Sequence, residues 1–235
     1  MATHNPAETS LEGKVALVVG ASSGLGKAVT ELLVQERAHI FALSRNIEQT
    51  DLPSSVVKIP MNIRDPRSID EAFAAIDEKT ELLNILVNCA GRGLVKKFEH
   101  TTRQEIMDII GTNLEGNIYT TLETYKRMIP QQSGHIVNVI STSGVRARPD
   151  ETMYCASKWG LRGFTESLRL AAVQHHIRVT GVLPGGMQTD FWKSGEPKDL
   201  PMFMDPRDVA EQLVMILKTP ASIAPSEYII ERGFT

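Results

Sequence analysis

The sequence is poor in the features that mark secreted, metal-binding and membrane proteins. It holds two cysteines, Cys89 and Cys155, which are too few for a disulfide framework, and it has no Cys-x-x-Cys pair of the kind that binds zinc. No apolar run approaches the roughly 20 residues that a membrane-spanning helix needs. We therefore expect no metal site, no membrane contact and a location in the reducing cytoplasm.

An excess of charge of one sign is also missing. The formal net charge is -3 over 235 residues, and acidic and basic residues are interspersed. This pattern argues against a nucleic-acid-binding surface or an acidic tail. The first residues lack the apolar core of a secretion signal, and we interpret residues 1–12 as a flexible leader. Residues 13–235 are long enough for a single domain with a full core.

Short apolar runs rich in β-branched residues alternate with helical patterns along the chain. Predicted strands cover residues 14–20, 38–43, 56–61, 84–88, 135–141, 178–183 and 227–231. Predicted helices begin near residue 25 and cover 66–77, two segments within 101–128, about 153–174, and 206–217. The alternation predicts an α/β fold, a single doubly wound Rossmann-type parallel sheet with helices on both faces. Ligands bind such sheets beyond the carboxyl ends of the strands.

A glycine-rich turn, GASSGLG, joins the first predicted strand to the first predicted helix. Strand, glycine turn and helix together present free backbone N–H groups to a phosphate, and so predict a dinucleotide site. The candidate residues are Gly20, Ser22, Ser23, Gly24, Leu25 and Gly26. The spacing differs from the Gly-x-Gly-x-x-Gly of most dinucleotide sites, and a simple tight turn is the alternative.

The second predicted strand ends in Ser44 and Arg45, at the position that meets the adenosine ribose in a dinucleotide fold. An acidic residue there would bind the ribose 2′-hydroxyl, but none is present. The planar guanidinium of Arg45 suits a 2′-phosphate, so the sequence favours NADP(H) over NAD(H). The alternative is a solvated arginine in a turn.

Tyr154 and Lys158 lie four residues apart in a stretch predicted to be helical, so their side chains share one face, about one turn apart. A neighbouring ammonium favours the ionised phenolate, which would make Tyr154 a general acid/base. Ser141 ends an apolar run and would donate a hydrogen bond to a substrate oxygen in the same cleft. The Tyr-Lys pair alone is weak evidence, because a half-buried tyrosine beside a solvated lysine has the same spacing.

Small and polar residues follow the remaining predicted strands. The candidates at these ends are Asn62 and Ile63, then Asn88, Ala90 and Gly91, then Pro184, Gly185, Met187 and Thr189. Small residues allow a cofactor ring or backbone to approach closely. Because the carboxyl ends of parallel strands lie at one edge of the sheet, we expect these residues to form one site with Tyr154.

Taken in order, these motifs resemble those of the short-chain dehydrogenase/reductase family over nearly the whole chain. The matching residues are Gly20–Gly26, Asn88–Gly91, Asn113, Ser141, Tyr154, Lys158 and Pro184–Thr189. The resemblance implies NAD(P)-dependent oxidation or reduction of an alcohol/carbonyl pair, as in a carbonyl reductase. The sequence departs from the family pattern at Val19, Cys89 and Asn62, which concern cofactor affinity rather than the catalytic groups.

The resemblance also implies a role for each catalytic residue. Tyr154 would be the general acid/base, and Lys158 would lower its pKa and bind the nicotinamide ribose. Ser141 would hold the substrate oxygen, and Asn113 would keep a water in a proton relay. Pro184–Thr189 would cover the nicotinamide end of the cofactor. The family further implies a homodimer or homotetramer.

The substrate is expected to be a small carbonyl or alcohol compound. The irregular stretch Asp190–Met204 is rich in aromatic residues and is predicted to form a lid over an apolar substrate; core packing of a long connection is the alternative. Arg92, Arg146 and Arg148 are predicted to lie on loops near the cleft, where they would either meet an anionic substrate or be solvated.

Two other functions fit part of the pattern. A methyltransferase also uses a glycine turn after its first strand, but it has no need of Ser141, Tyr154 and Lys158 at this spacing. A non-catalytic NADP(H)-binding sensor or scaffold would share the fold, although such proteins usually lack the tyrosine or the lysine. Turnover of carbonyl compounds distinguishes an enzyme from a sensor.

Overall fold

Seven parallel strands form one sheet in the computed structural model, which describes residues 9–192 and 200–233. The strands are β1 (Val15–Val19), β2 (His39–Ser44), β3 (Val57–Pro60), β4 (Ile85–Asn88), β5 (Gly134–Val139), β6 (Ile177–Pro184) and β7 (Glu227–Ile230). Their order across the sheet is β3-β2-β1-β4-β5-β6-β7. The predicted doubly wound parallel sheet is confirmed. Of the predicted leader, residues 1–8 lie outside the described residues.

Helices cover both faces of the sheet. They are α1 (Gly24–Gln35), α2 (Pro66–Asp77), α3 (Arg103–Ile110), α4 (Gly116–Gln131), α5 (Thr152–Ala172) and α6 (Pro206–Leu217). Helices α1 and α6 pack together on one face, and α2, α4 and α5 cover the other. Within residues 9–192 and 200–233, no helix has both the length and the apolar content that crossing a bilayer requires.

The alternation of side chains along each buried strand divides the core into two layers. On β1, Val18 faces the α1/α6 layer, where it joins Val29 and Leu213. Its neighbour Leu17 faces the opposite layer and joins Phe73 of α2. Strands buried on both faces require near-continuous apolar runs, which is why the runs in the sequence predicted the strands correctly.

Two helices begin with the same local signal and have the predicted bounds, Pro66–Asp77 and Pro206–Leu217. Each is preceded by an aspartate, Asp65 or Asp205, whose side chain accepts a hydrogen bond from the backbone N–H two residues on. The cap satisfies one N–H at the helix start, and proline needs no hydrogen-bond partner at the first position.

The region around Asn113 differs from the expected break between two helices. The chain passes from α3 to α4 without leaving helical geometry, through one π-helical turn at Gly111–Glu115. Asn113 sits in the middle of this turn and is fully buried. A π-turn inserts one extra residue into a helix and often occurs at functional sites, and no local propensity rule predicts it.

His135 of β5 is a buried imidazole in the sheet. Its Nε2 lies 2.9 Å from the Thr180 hydroxyl, which itself donates to the Pro225 carbonyl, so Nε2 is the protonated nitrogen. Its Nδ1 is buried with no hydrogen-bond partner among the described residues. Burial, together with the nearby positive charge of Arg178, lowers the pKa of His135 to about 3. The folded protein therefore holds this side chain neutral.

This burial should make the protein lose stability in mild acid. Between pH 6.5 and the lowered pKa of about 3, the unfolded chain binds a proton on His135 that the folded chain does not. The free energy of unfolding then falls by about 1.4 kcal/mol per pH unit below 6.5, or about 2 kcal/mol by pH 5. Denaturant unfolding at pH 7.5 and pH 5 would measure the loss. In His135→Leu, the free energy of unfolding should fall by about 2 kcal/mol less between pH 7.5 and pH 5 than in the wild type. An equal fall in the two proteins would contradict the prediction.

Candidate active site

A cleft of about 1510 Å³ opens at the carboxyl ends of the strands. Typical ligand pockets hold about 300–1,000 Å³, so this cleft has room for a dinucleotide together with a small substrate. The predicted site residues that line it are Gly20, Ser22, Ser23, Gly24, Leu25, Gly26, Ser44, Arg45, Asn62, Ile63, Ala90, Gly91, Ser141, Tyr154, Lys158, Pro184, Gly185, Met187 and Thr189. The two other predicted residues, Asn88 and Asn113, are fully buried behind its wall.

The glycine turn after β1 has a backbone that only glycine fits. Gly20 has a φ of +85°, and a Cβ there would lie 2.7 Å from the backbone nitrogen of Ala90. A Cβ on Gly26 would lie 2.2 Å from the carbonyl oxygen of Gly20. Real carbon atoms do not approach so closely, so the turn brings β1, α1 and the loop after β4 into direct backbone contact.

The start of α1 at this turn is open to an anionic ligand. Its N-cap residue, Ser23, makes no side-chain capping hydrogen bond, and the first turn carries no acidic residue. The N–H groups at a helix start carry a partial positive charge and need acceptors. Since the turn also lines the cleft, it fits the phosphates of a dinucleotide.

The end of β2 offers a second fitting contact. The Ser44 hydroxyl is buried and has no hydrogen-bond partner among the described residues. Such orphaned groups are rare in folded proteins, and a polar ligand group at this point would satisfy it. Arg45 is exposed at the rim of the same cleft, beside the turn where the Asn62 side chain accepts a hydrogen bond from Arg64 N at 3.2 Å. Together these residues fit the adenosine end of a dinucleotide.

Ser141, Tyr154 and Lys158 come together at the other end of the cleft. Tyr154 is 6% exposed and Lys158 is 3% exposed, one turn apart on α5. Ser141 hydrogen-bonds to the Tyr154 side chain, and its Oγ also accepts from the backbone of Ser143 at 3.1 Å. A Cβ on Gly91 would lie 3.6 Å from the Lys158 Nζ, so the loop after β4 passes directly over the lysine.

Burial controls the protonation of these groups. It raises the pKa of the Tyr154 hydroxyl above its ordinary value, while the hydrogen bond to Ser141 lowers it and the negative charge of Glu151 raises it further. It lowers the pKa of Lys158 to about 8. It also raises the pKa of Cys89 to about 12, so that thiol stays neutral.

The expected lowering of the Tyr154 pKa by Lys158 is not found in this structure. The Lys158 ammonium donates to the carbonyl of Val139 at 2.9 Å and lies 5.9 Å from the centre of the Tyr154 ring. Desolvation of the phenol has the larger effect. Tyr154 is therefore a neutral phenol that can donate a proton.

Asn113 joins two parts of the site. Its Oδ1 accepts from Arg92 N at 2.8 Å, and its Nδ2 donates to the Arg92 carbonyl at 3.0 Å. The same Nδ2 donates to Ser157 Oγ at 3.1 Å, on the turn of α5 between Tyr154 and Lys158. The side chain thus fixes the loop after β4 against the helix that carries the candidate catalytic pair.

Asn117, which the sequence analysis missed, extends this connection. Its Nδ2 lies within hydrogen-bonding distance of the carbonyls of Ala90, Thr112 and Asn113, at 3.2, 3.1 and 3.0 Å. Asn117 is fully buried. Its position in the sequence, four residues after Asn113 and so on the same face of a helix, could have indicated that Asn117 supports the site.

Asn88 forms a polar network under the cleft. Its Nδ2 donates to Thr121 Oγ1 and Asn138 Oδ1, both at 2.9 Å, and its Oδ1 accepts from Thr120 Oγ1 at 2.9 Å. Asn138 in turn donates to Thr165 of α5 at 3.0 Å. Asn88 was predicted to contact the cofactor, but its side chain is directed instead to these buried partners.

Glu151 is a second residue that the sequence analysis missed. It is 8% exposed, lines the cleft three residues before Tyr154, and accepts a hydrogen bond from Ser143 Oγ at 2.8 Å. Acidic residues are usually solvated, and nothing in the sequence indicated that this one is buried.

The described part of the predicted lid places aromatic rings at the cleft. Phe191 meets Tyr154 with ring centres 5.6 Å apart, Trp192 meets Phe191 at 5.2 Å, and Phe203 meets Trp192 at 5.5 Å, all edge to face. We call these four rings the aromatic wall. Residues 193–199 of the predicted lid lie outside the described residues.

The three arginines near the cleft each lie beside a carboxylate. Arg92 pairs with Asp108 at 2.9 Å, Arg146 pairs with Glu231, and Arg148 lies 3.9 Å from Glu151. These contacts weaken the case for an anionic substrate. Over residues 9–192 and 200–233, no group of histidine, cysteine and acidic residues is suited to a metal ion.

Comparison with known proteins agrees with this geometry. The model of the short chain dehydrogenase family matches residues 14–199. An uncharacterized oxidoreductase of Staphylococcus aureus (strain MW2) is 29% identical over 228 residues, which cover 94% of this chain and 98% of the relative. Glycine betaine reductase ATRR of Emericella nidulans is 32% identical over 239 residues, which cover 94% of this chain and 19% of that protein.

Solved structures share the fold. A variant of actinorhodin polyketide ketoreductase with NADPH has a TM-score of 0.84 at 25% identity, covering 94% of this chain and 97% of that one. ElxO with NADP bound has a TM-score of 0.84 at 23% identity, covering 94% and 98%. The likeness to ElxO is evidence for the fold alone.

Proposed function

The chain belongs to the short-chain dehydrogenase family and is an oxidoreductase, and from this premise we propose that it interconverts a small carbonyl compound and an alcohol with NADP(H). The supporting observation is the cluster of Ser141, Tyr154 and Lys158, buried at one end of a cleft whose other end holds the glycine turn. Proton donor and dinucleotide contacts therefore share one cavity.

The bound cofactor would supply the hydride, and this chain would supply position, a proton and charge stabilisation. In the reducing direction, Tyr154 donates its hydroxyl proton to the substrate oxygen. Ser141 donates a hydrogen bond to the same oxygen, which gains negative charge as the carbonyl is reduced, so the bond strengthens in the transition state. Lys158 would bind the nicotinamide ribose, with its ammonium 5.9 Å from the centre of the Tyr154 ring. Asn113 holds the loop after β4 and keeps a water for reprotonating Tyr154.

The glycine turn would bind the cofactor phosphates, and Ser44 and Arg45 would hold the adenosine ribose with its 2′-phosphate. At the nicotinamide end, the segment Pro184–Thr189 lies against the glycine turn, since a Cβ on Gly24 would meet Thr189 Cγ2 at 3.2 Å. Arg45, at a position where an acidic residue would select NAD(H), supports NADP(H) over NAD(H).

The test is the oxidation of NADPH, followed by its absorbance, with a panel of aldehydes, ketones, quinones and acyl thioesters. The name of the fungal relative, glycine betaine reductase, makes quaternary ammonium compounds worth including. Turnover of at least one carbonyl compound supports the proposal. Binding of NADPH, seen as quenched protein fluorescence, without turnover of any compound would favour a sensor instead.

Arg45→Asp should reverse the cofactor preference. Loss of the guanidinium and the added negative charge would remove about 2–3 kcal/mol of 2′-phosphate binding, so kcat/KM with NADPH should fall about 10²-fold. NADH carries no 2′-phosphate, so its kcat/KM should change little. Steady-state kinetics with both cofactors provide the measurement.

Arg67→Asp is the matched control for this change. It makes the same change of charge at an exposed position on α2, outside the cleft. An equal loss with NADPH in both variants would assign the effect to overall charge and contradict the role of Arg45.

We also propose that the protein is a homodimer or homotetramer. Helices α4 and α5 expose apolar side chains, Leu122 and Tyr119 on the first, and Trp159 and Leu170 on the second. Exposed apolar patches of this kind often mark interfaces. Sedimentation equilibrium would measure the assembly state.

A further inference from the structure

The buried carboxylate of Glu151 has no part in the proposed proton transfer. Of the acidic residues that line the cleft in the described ranges, Asp51, Asp190 and Glu231 are exposed, and Glu151 is the buried one. Its negative charge disfavours ionisation of the neighbouring Tyr154, which hinders a general base. A buried carboxylate is costly to hold without compensation; Glu151 stands at the N-terminus of α5, where the helix dipole favours negative charge, but its side chain makes no capping hydrogen bond there.

The contacts of Glu151 compensate its charge only in part. Its Oε2 accepts from the Ser143 hydroxyl at 2.8 Å, which is a neutral donor. The guanidinium of Arg148 lies 3.9 Å away and its side chain is 53% exposed, so water screens the pair. The buried ammonium of Lys158 donates to the Val139 carbonyl. A positive group in the cleft would complete the compensation.

The aromatic wall lines the same cleft and includes Tyr154, on which the charge of Glu151 acts. Tyr154, Phe191, Trp192 and Phe203 all line it, and the Trp192 indole is held in place by a hydrogen bond from its Nε1 to the Met187 carbonyl at 3.0 Å. Aromatic residues are only 6% of the chain, so this concentration is local. The negative faces of aromatic rings attract cations that have little hydration.

We propose that the substrate carries a quaternary ammonium group, held between Glu151 and the aromatic wall while its carbonyl or hydroxyl group meets Tyr154 and Ser141. A primary ammonium has three donors that need acceptors, whereas this corner offers one carboxylate, already bonded to Ser143, and ring surfaces. Glu151 comes immediately before α5 and three residues before Tyr154, and its charge acts on the Tyr154 hydroxyl, so the two binding groups are close together. The substrate is therefore compact, with one or two carbons between nitrogen and carbonyl.

This inference rests on the proposed carbonyl reduction, and an isosteric pair of aldehydes tests it. Trimethylammonioacetaldehyde carries the cation, and 3,3-dimethylbutanal has the same shape with carbon in place of nitrogen. With saturating NADPH, we divide kcat/KM for the cationic aldehyde by kcat/KM for the neutral aldehyde. This ratio should be about 10-fold or more lower in Glu151→Gln than in the wild type, because the carboxylate charge that attracts the cation is gone. The change should appear in KM for the cation, whereas any effect of the lost charge on the Tyr154 hydroxyl changes kcat for both aldehydes alike and cancels in the ratio.

Glutamine keeps an oxygen that can accept from Ser143, so Glu151→Gln removes charge with little change of shape. Asp51→Asn is the control, because it removes an exposed carboxylate from the same cleft and should leave the ratio unchanged. Titration of tryptophan fluorescence with tetramethylammonium chloride, against sodium chloride, supplies a measurement that needs no turnover. The fluorescence of the wild type should change saturably with tetramethylammonium, and the affinity for this ion should be at least about fivefold lower in Glu151→Gln.

The outcomes separate the two proposals. An unchanged ratio in Glu151→Gln, or reduction of the neutral aldehyde alone, would overturn the quaternary ammonium assignment and leave the carbonyl reductase standing. No turnover of either aldehyde or of any compound in the wider panel would overturn the proposed reaction, and with it this inference.

Discussion

Replacing Tyr154 with phenylalanine should lower kcat by about 10³-fold, within the 10²–10⁴ range typical of a lost general acid. The ring would remain, so its edge-to-face contact with Phe191, at 5.6 Å between ring centres, and the shape of the cleft should be kept. The proton donor alone would be missing. Binding of NADPH, measured by fluorescence, should stay within about twofold of the wild type, since phenylalanine leaves the glycine turn untouched.

The state of the phenol explains the direction of this effect. Tyr154 is 6% exposed and burial raises its pKa, so it carries its proton through the neutral range. The rate of reduction should therefore not change with pH through deprotonation of this group near pH 7. Tyr119→Phe, which removes a hydroxyl from an exposed position on α4, should leave kcat unchanged. A Tyr154→Phe enzyme with kcat within about threefold of the wild type would remove the tyrosine from the proposed mechanism.

Replacing Asn88 with leucine should lower the free energy of unfolding by about 3–5 kcal/mol. The apolar side chain fills the space but leaves Asn138 Oδ1 and Thr121 Oγ1 without the hydrogen bonds that Asn88 donates at 2.9 Å. Each unsatisfied buried group costs about 1–3 kcal/mol. For a chain of this length the melting temperature should fall by about 10 °C.

Thr124→Val is the control for this loss of stability. Thr124 is also fully buried on α4, but its hydroxyl donates to the Thr120 carbonyl at 2.9 Å, one turn back in its own helix. Removing such a local bond leaves no isolated side-chain partner, so the cost should stay below about 1 kcal/mol. Denaturant unfolding of both variants tests the comparison. Equal losses of unfolding free energy would show that the network around Asn88 stabilises the protein no more than a local helix hydrogen bond does.

Much of the fold follows from patterns that are local in the sequence. Runs such as VALVV of β1 are apolar at every position because both faces of the strand are buried. The helix starts at Pro66 and Pro206 follow from a cap and a proline, which act within one turn. The site gathers for a topological reason, because parallel strands bring their carboxyl ends to one edge.

The remaining features depend on partners that are distant in the chain. Asn117 and Glu151 have side chains that are usually solvated, and only the loop after β4 and the turn at Ser143 make them buried. His135 likewise becomes buried through Thr180 of a neighbouring strand. The spacing of Tyr154 and Lys158 correctly predicts a shared cleft, but not that the lysine would bind the Val139 carbonyl.

The π-turn at Gly111–Glu115 also limits how the length of this chain can vary. The turn already holds one extra residue, and each residue advances an α-helix by about 100° of rotation, so inserting one more residue here would rotate α4 by about that angle relative to α3. Asn117 and Thr121, which now face β4, would swing towards solvent. Insertions are usually tolerated in connections between helices, but here the connection fixes which face of α4 is buried, and one inserted residue would turn that polar face away from the strand below the active site.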